Sequence, residues 1–394
     1  MSPVIKTTIL SSIIVIIFLP TLIFAATKTP FCYAGWIPFW KDLAGAHDLS
    51  LHLGSIQEVS PFSYEVSSKG LIIDKIQIKQ GFWPNWLSAV RDINVKIIPT
   101  VAWFDGANIH KILSNKTTRI AQENAITKLV KNQNFNGIDI DYEAKLADTN
   151  KYFSLFIEGL AIRLHPLKKT LSCTIEPRMP VSSRYTQTGT DEDTQYANDY
   201  SVLNKYCDEV RIMAYDQGVV DIKLDASKGN GQLYAPVADP DWVEKVVKEA
   251  TKFISPKKIM LGIPTYGYEY QVTWDNGIAT YYRLRSHTFS QAMERASSTG
   301  AIPQRNSAGE LSFSYSTSTF VNDLSASLIW SVSSTKPTAI ISAGTSTPVM
   351  RYVSFADAES INQKIELAKK LGLHGVAFFK WDGEQDPLMW QLIK

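Results

Sequence analysis

Short apolar runs that alternate with amphipathic segments predict an α/β fold for this chain of 394 residues. Eight such units fall between residues 31 and 381, and eight parallel strand–helix units close into a TIM (β/α)8 barrel. The run 95–103 is apolar almost throughout, as a strand covered on both faces of a parallel sheet must be. The rhythm fails over 269–350, a stretch rich in Ser and Thr, which predicts a small α+β insertion between strand seven and its helix. The expected plan is a barrel over 30–268 and 351–394, a lobe over 269–350 and a targeting segment over 1–26.

In chain order, the first strand is read over 31–38, the second over 56–64 and the third over 95–103. A helix over 119–131 sets Ile120, Ile126, Leu129 and Val130 on one stripe and feeds the fourth strand, 137–143. Asp148 or Thr149 caps the next helix, where Tyr152, Phe153, Phe156, Ile157 and Leu160 recur at helical spacing. Strand five is 170–176, a polar loop follows over 182–194, and strand six is 209–216. Asp239 and Pro240 give a cap and a first-turn proline to a helix bearing Val243, Val246, Val247 and Ala250. Strand seven is 259–266. The rhythm returns at Asp357: Ile361, Ile365, Ala368 and Leu371 share a helix face, Gly372 ends it, and strand eight is 375–381.

Composition narrows the function classes. A chain that is 45% hydrophobic and 20% charged is not disordered, and a net charge of +2 argues against a dedicated nucleic-acid binder. Cys32, Cys173 and Cys207 make an odd count without a metal spacing, so all three are read as buried thiols. The histidines form no cluster, and neither a metal nor a cofactor is expected. The 10 Trp and 17 Tyr suit a carbohydrate-stacking groove and a large core equally. Lys6, the apolar run 9–24 and the small residues Ala25 and Ala26 read as a secretory signal peptide. An uncleaved membrane anchor through 9–26 is the alternative. Either way the functional part lies outside the cytoplasm, secreted or in the cell envelope, and a monomer is expected. Asn115-Lys116-Thr117 fits a glycosylation sequon, a triplet that also arises by chance.

The chemistry is concentrated in Phe135-Asn136-Gly137-Ile138-Asp139-Ile140-Asp141-Tyr142-Glu143. In a strand, alternate side chains share a face, so Asp139, Asp141 and Glu143 stand together opposite Ile138, Ile140 and Tyr142. Three carboxylates on one face of a strand with an apolar back converge on a site. Like charges in a confined site cannot all ionise, so Asp141 is expected to raise Glu143 and Asp139 to share a proton with Asp141.

This nonapeptide resembles the Asp-Gly-x-Asp-x-Asp-x-Glu signature of glycoside hydrolase family 18, the chitinase-like enzymes, with Asn136 in place of the first Asp. The resemblance implies that Glu143 donates a proton to the glycosidic oxygen while Asp141 orients the substrate's N-acetyl group, whose carbonyl attacks the anomeric carbon. Met213-Ala214-Tyr215-Asp216 matches a second motif, giving the Tyr215 hydroxyl to the acetamido carbonyl and Asp216 to sugar hydroxyls. Gly262-Ile263-Pro264-Thr265-Tyr266-Gly267 is similar to the strand-seven motif and offers Tyr266 to the groove. At strand eight the family's floor tryptophan falls at Phe379; Trp381, two residues on, is the chemical match and shares its face by alternation. Trp36, Trp40, Trp103 and Phe104 are further stacking candidates, with core packing as their alternative. Glu176, ending strand five, either projects into the cleft or pairs with Arg178 or Arg211. The segment 352–390 looks most like the spore-germination and cortex-lytic branch, without the peptidoglycan-binding repeats that usually precede the barrel there.

The expected activity is therefore a secreted retaining glycosidase acting on β-1,4 links beside N-acetylglucosamine in peptidoglycan or chitin, with that polysaccharide as its partner. A weak or inactive chitinase-like lectin of the same fold is the alternative, opposed by the intact Glu143 and Asp141. A hydrolase using Asp139, Asp141, Glu143 and Asp216 as ligands for a hard cation is a third, opposed by their spacing along a strand.

Overall fold

The computed structural model describes residues 30–184, 195–229, 231–275, 277–318 and 349–393. The targeting segment 1–26, most of the polar loop 182–194 and the middle of the expected insertion lie outside the described residues. Among those described, no helix is long and apolar enough to cross a membrane.

Eight parallel strands form a closed ring. They are Cys32–Pro38, then Glu58–Phe62 continued by Tyr64–Val66, then Lys96–Ile97 continued by Thr100–Trp103. Gly137–Tyr142, Thr170–Ile175, Glu209–Ile212, Ile259–Pro264 and Gly375–Phe379 complete it. Each pairs in parallel with the next, and the eighth returns to the first through Cys32↔Gly375 and Gly35↔Phe378. The TIM barrel expected from the sequence is the fold. Its outer faces, among them Ile138, Ile140 and Tyr142, join the helices in one large apolar core. The inner faces carry a smaller core of Ala34, Trp36, Phe62, Ala102, Met260 and Ala377. Glycines permit close strand approaches: a Cβ would lie 2.3 Å from the Thr170 carbonyl oxygen at Gly137 and 2.1 Å from the Cys32 carbonyl oxygen at Gly375.

At the barrel's N-terminal end, Arg211 is buried and donates to Ser60 Oγ at 2.6 Å, Glu58 at 3.2 Å and Glu209 at 3.4 Å. Lys96 adds a bond to Glu58 at 2.8 Å. Asn136 sits at the exposed start of the fourth strand, where its Oδ1 accepts from the Ile97 N–H at 2.9 Å and pins strand three.

The insertion leaves the barrel earlier than the sequence implies. Strand seven stops at Pro264, and Tyr266 begins the lobe's central strand, Tyr266–Asp275. That strand lies between Ile278–Thr288 and Val349–Phe355, and Leu311–Thr317 and Gln304–Arg305 extend the antiparallel sheet. The helix Phe289–Thr299, opened by a Thr288–Gln291 capping box, packs Ala292 and Ala296 on Phe313, Val353 and Phe355.

The cysteine reading is corrected. Cys173 and Cys207 form a disulfide with Cα atoms 6.2 Å apart, and only Cys32 is a buried free thiol. Strand five and the start of strand six are neighbours, which brings the two sulfurs together across the outer face.

Candidate active site

The fourth strand presents its acids to the barrel interior at increasing height, and each meets a different environment. Asp139, lowest, is fully buried and saturated with donors. Ser172 Oγ and Thr174 Oγ1 each donate to its Oδ1 at 2.8 Å, while Thr100 Oγ1 at 2.8 Å and Trp36 Nε1 at 3.1 Å donate to Oδ2. No hydrogen bond joins Asp139 to Asp141 among the described residues, so the expected shared proton is not what the geometry provides. Asp141 is 4% exposed, and its Oδ1 has no hydrogen-bond partner. Burial raises its carboxyl well above the ordinary range; Glu143, Asp139 and Glu176 add to this, and Lys145 opposes it.

Glu143 lies one residue past the strand's end. Its carboxyl is pushed up to about 7, chiefly by burial, with Glu176 and Asp216 adding to the rise and Lys145 opposing it. Burial is thus the leading cause, Glu176 adds to it, and the repulsion expected between Asp141 and Glu143 is present, raising Asp141. A carboxyl that holds its proton near neutrality can act as a general acid.

Around these acids is a cleft of about 480 Å³, lined among others by Phe39, Trp40, Phe62, Phe104, Tyr215 and Phe379. Phe379 stacks on Tyr215 with ring centroids 5.6 Å apart and meets Trp36 and Tyr266 edge-on at 6.0 Å. Asp216, held at φ 61°, accepts from the Tyr266 hydroxyl and from the Tyr268 hydroxyl at 2.9 Å. Phe39, Phe62 and Phe104 stack in a row, with Trp40 against the first two; Trp40 and Phe104 are each 50% exposed.

The structure therefore brings together Asp139, Asp141, Glu143, Tyr215, Asp216, Tyr266 and Phe379. It separates two others. Trp103 is 2% exposed and packs edge-on to Tyr142 at 5.5 Å, on the helix side of the sheet. Its register partner is Tyr142, whereas Thr100 pairs with Asp139, so strand parity turns it away from the cleft. Trp381 is completely buried against Phe378 and Trp390. The eighth strand ends at Phe379, and alternation does not carry beyond it. Trp36 lies beneath the cleft and serves Asp139 more than an open surface. Glu176 pairs with Lys145 at 3.3 Å and not with Arg178 or Arg211. Sequence reasoning missed Tyr268, which alternation from Tyr266 points to, and the rim residues Phe39 and Phe62.

A larger hollow of about 790 Å³ lies elsewhere, between the Ile72–Asp74 hairpin strand and the helix Lys116–Asn132. Its one acid, Asp74, accepts from the Ile76 and Ile78 N–H groups. Volume alone does not make it the reactive site. No group of His, Cys, Asp and Glu suited to a metal ion occurs among the described residues.

Three comparisons with known proteins bear on the family and the fold. The family model described as Glycosyl hydrolases family 18 matches residues 85–384. The uncharacterized glycosylase YvbX of Bacillus subtilis is 28% identical over 169 residues, 43% of this chain and 44% of that protein. The putative sporulation-specific glycosylase YdhD of the same organism is 22% identical over 237 residues, 60% of this chain and 51% of that one. The chain thus spans about half the length of the curated relatives it matches. Among solved structures, the Bacillus megaterium spore cortex-lytic enzyme SleL superposes with a TM-score of 0.66 at 21% identity, covering 94% of this chain and 74% of that one. A chitinase from Chromobacterium violaceum gives 0.66 at 18% identity, covering 92% and 98%. These likenesses establish the fold.

Proposed function

The chain belongs to glycosyl hydrolases family 18, and from that premise we propose that it hydrolyses β-1,4 bonds beside N-acetylglucosamine units of peptidoglycan or chitin. The observation that carries this reading is Glu143: a carboxyl raised to about 7 by burial, at the C-terminal mouth of a barrel, facing an aromatic cleft. In the proposed reaction a sugar rests over Phe379 and Tyr215 with its acetamido group beside Asp141 and the Tyr215 hydroxyl. The acetamido oxygen attacks the anomeric carbon as Glu143 protonates the departing glycosidic oxygen. Glu143, now a carboxylate, takes a proton from water, which opens the cyclic intermediate and leaves the anomeric configuration retained. Asp141 accepts from the acetamido N–H, and Asp139, fixed by four donors, lies beneath it. Asp216 and the aromatic rim bind the neighbouring sugars.

The enzyme is assigned to the exterior or the cell envelope. The buried Cys173–Cys207 disulfide supports this, because such bonds persist in oxidising compartments. The relatives' printed names, cortex-lytic enzyme and chitinase, leave both polymers as substrates. Product mass spectrometry after incubation with chitin oligomers and purified peptidoglycan tests the activity. Shortened products that disappear with Glu143→Gln support it and identify the polymer. Sugar binding without products from either polymer would turn the reading toward a lectin.

A further inference from the structure

The chain turns sharply just after Glu143: Ala144 has φ 53°, a left-handed conformation that a non-glycine residue adopts at a cost. What holds the turn is Glu176, from the end of the neighbouring strand five. Its Oε1 accepts from the Ala144 N–H at 3.0 Å, and its Oε2 accepts from Asn198 Nδ2 at 2.9 Å and Lys145 Nζ at 3.3 Å. The Lys145 side chain is wholly buried, its ammonium also donating to the Tyr142 carbonyl and lying 4.8 Å from the Phe153 ring centroid. Arg178 steadies the far side by donating to the Asn198 carbonyl at 2.8 Å while sitting over the Tyr196 and Tyr200 rings.

We propose that Glu176 and Lys145 are positioning residues for Glu143. Glu176 tethers the turn that aims the acid, and the pair sets one negative and one positive charge against it. The inference rests on the proposed glycosidase reading and deepens it. Among the described residues, the groups facing Glu143 are Asp141 below, Lys145 beyond the turn, Glu176 from strand five, and Tyr215 and Asp216 after strand six. Of these, Glu176 is the charge that favours the protonated acid most, and Lys145 is the one that disfavours it. Lys145 stays balanced by Glu176, so the acid retains its proton near neutrality and can still release it when the intermediate is hydrolysed.

Carboxyl-labelled glutamate NMR of the full chain tests this without substrate, Glu143→Gln identifying the resonance. Glu176→Gln keeps an acceptor for Ala144 but removes the charge, so the Glu143 midpoint should fall by about half a pH unit or more. Lys145→Met should move it the opposite way. The alkaline limb of kcat/KM should follow in the same directions, and Glu176→Ala should add roughly a ten-fold loss of kcat at every pH as the tether goes. Unmoved midpoints in both charge variants, or shifts of the same sign, would overturn the proposal. Should Glu176→Gln fail to fold, Lys145→Met decides it alone. A wild type that cleaves nothing would sink the glycosidase reading, yet the titration would still settle what sets the proton on Glu143.

Discussion

Asp139 lies within the fourth strand and Glu143 just past its end, and the two carboxyl groups meet opposite surroundings. Glu143 meets few donors and much burial, which favours the neutral acid. Asp139 accepts four hydrogen bonds from Ser172, Thr174, Thr100 and Trp36, which fix it in place at the base of the site. Asp139→Asn would replace one acceptor oxygen with an NH₂, which either faces the Trp36 N–H or forces the hydroxyls of Ser172 and Thr174 to turn and accept. A loss of about 2–3 kcal/mol in denaturant unfolding is expected, beyond an ordinary surface change. Glu143→Gln removes the proposed proton donor while keeping the shape, so kcat/KM should fall by roughly 10²- to 10⁴-fold without loss of stability at neutral pH. The three acids and their shared face were legible from alternation alone. The cause of the raised Glu143 was not, because Glu176 and Lys145 reach it from outside the strand's own period.

At the scale of elements, strand parity decides which aromatics reach the cleft. Thr100 and Ala102 face inward opposite Asp139 and Asp141, so Val101 and Trp103 must face the helices. That placement of Trp103 was available from the pairing of adjacent strands, but the apolar run 95–103 gave no period of its own to reveal it. Trp381 is a different failure: the strand ends at Phe379, and nothing in the residue pattern marks that end. Tyr266 shows the same limit, since only Thr265 separates it from the apolar strand Ile259–Pro264. The Cys173–Cys207 bond links consecutive strand units over a separation of 34 residues. Replacing both cysteines with alanine should lower unfolding stability by about 2–4 kcal/mol, read from chemical denaturation without reductant. A change below about 0.5 kcal/mol would mean that the bond does not constrain the chain.

For the whole molecule, the buried acids couple folding to pH. Glu143 binds its proton more tightly folded, at about 7, than in an open chain, near 4.5. Between those values the folded state holds more protons than the unfolded state, so stability falls as pH rises through the window. The upper bound from this one group is about 3 kcal/mol, and Asp141 acts in the same direction. Melting temperature should therefore drop from pH 5 to pH 8, and Glu143→Gln should flatten that drop and melt higher at pH 8. An unchanged slope in the variant would show that Glu143 titrates normally. The barrel itself was readable because eight strand–helix units repeat one pattern and the acids fall where such a barrel displays its chemistry. The lobe's antiparallel pairing was less so, being built from contacts distant in sequence.

The central claim is that the substrate's own acetamido group, with Glu143 as acid and then base, performs the cleavage. Proton NMR of the new reducing end, recorded within the first minutes of hydrolysis of a β-linked N-acetylglucosamine oligomer or glycan strand, tests it most directly. Retention predicts the β anomer first, drifting to the equilibrium mixture as the product mutarotates. An α anomer at the outset would mean direct attack by water and would contradict the mechanism.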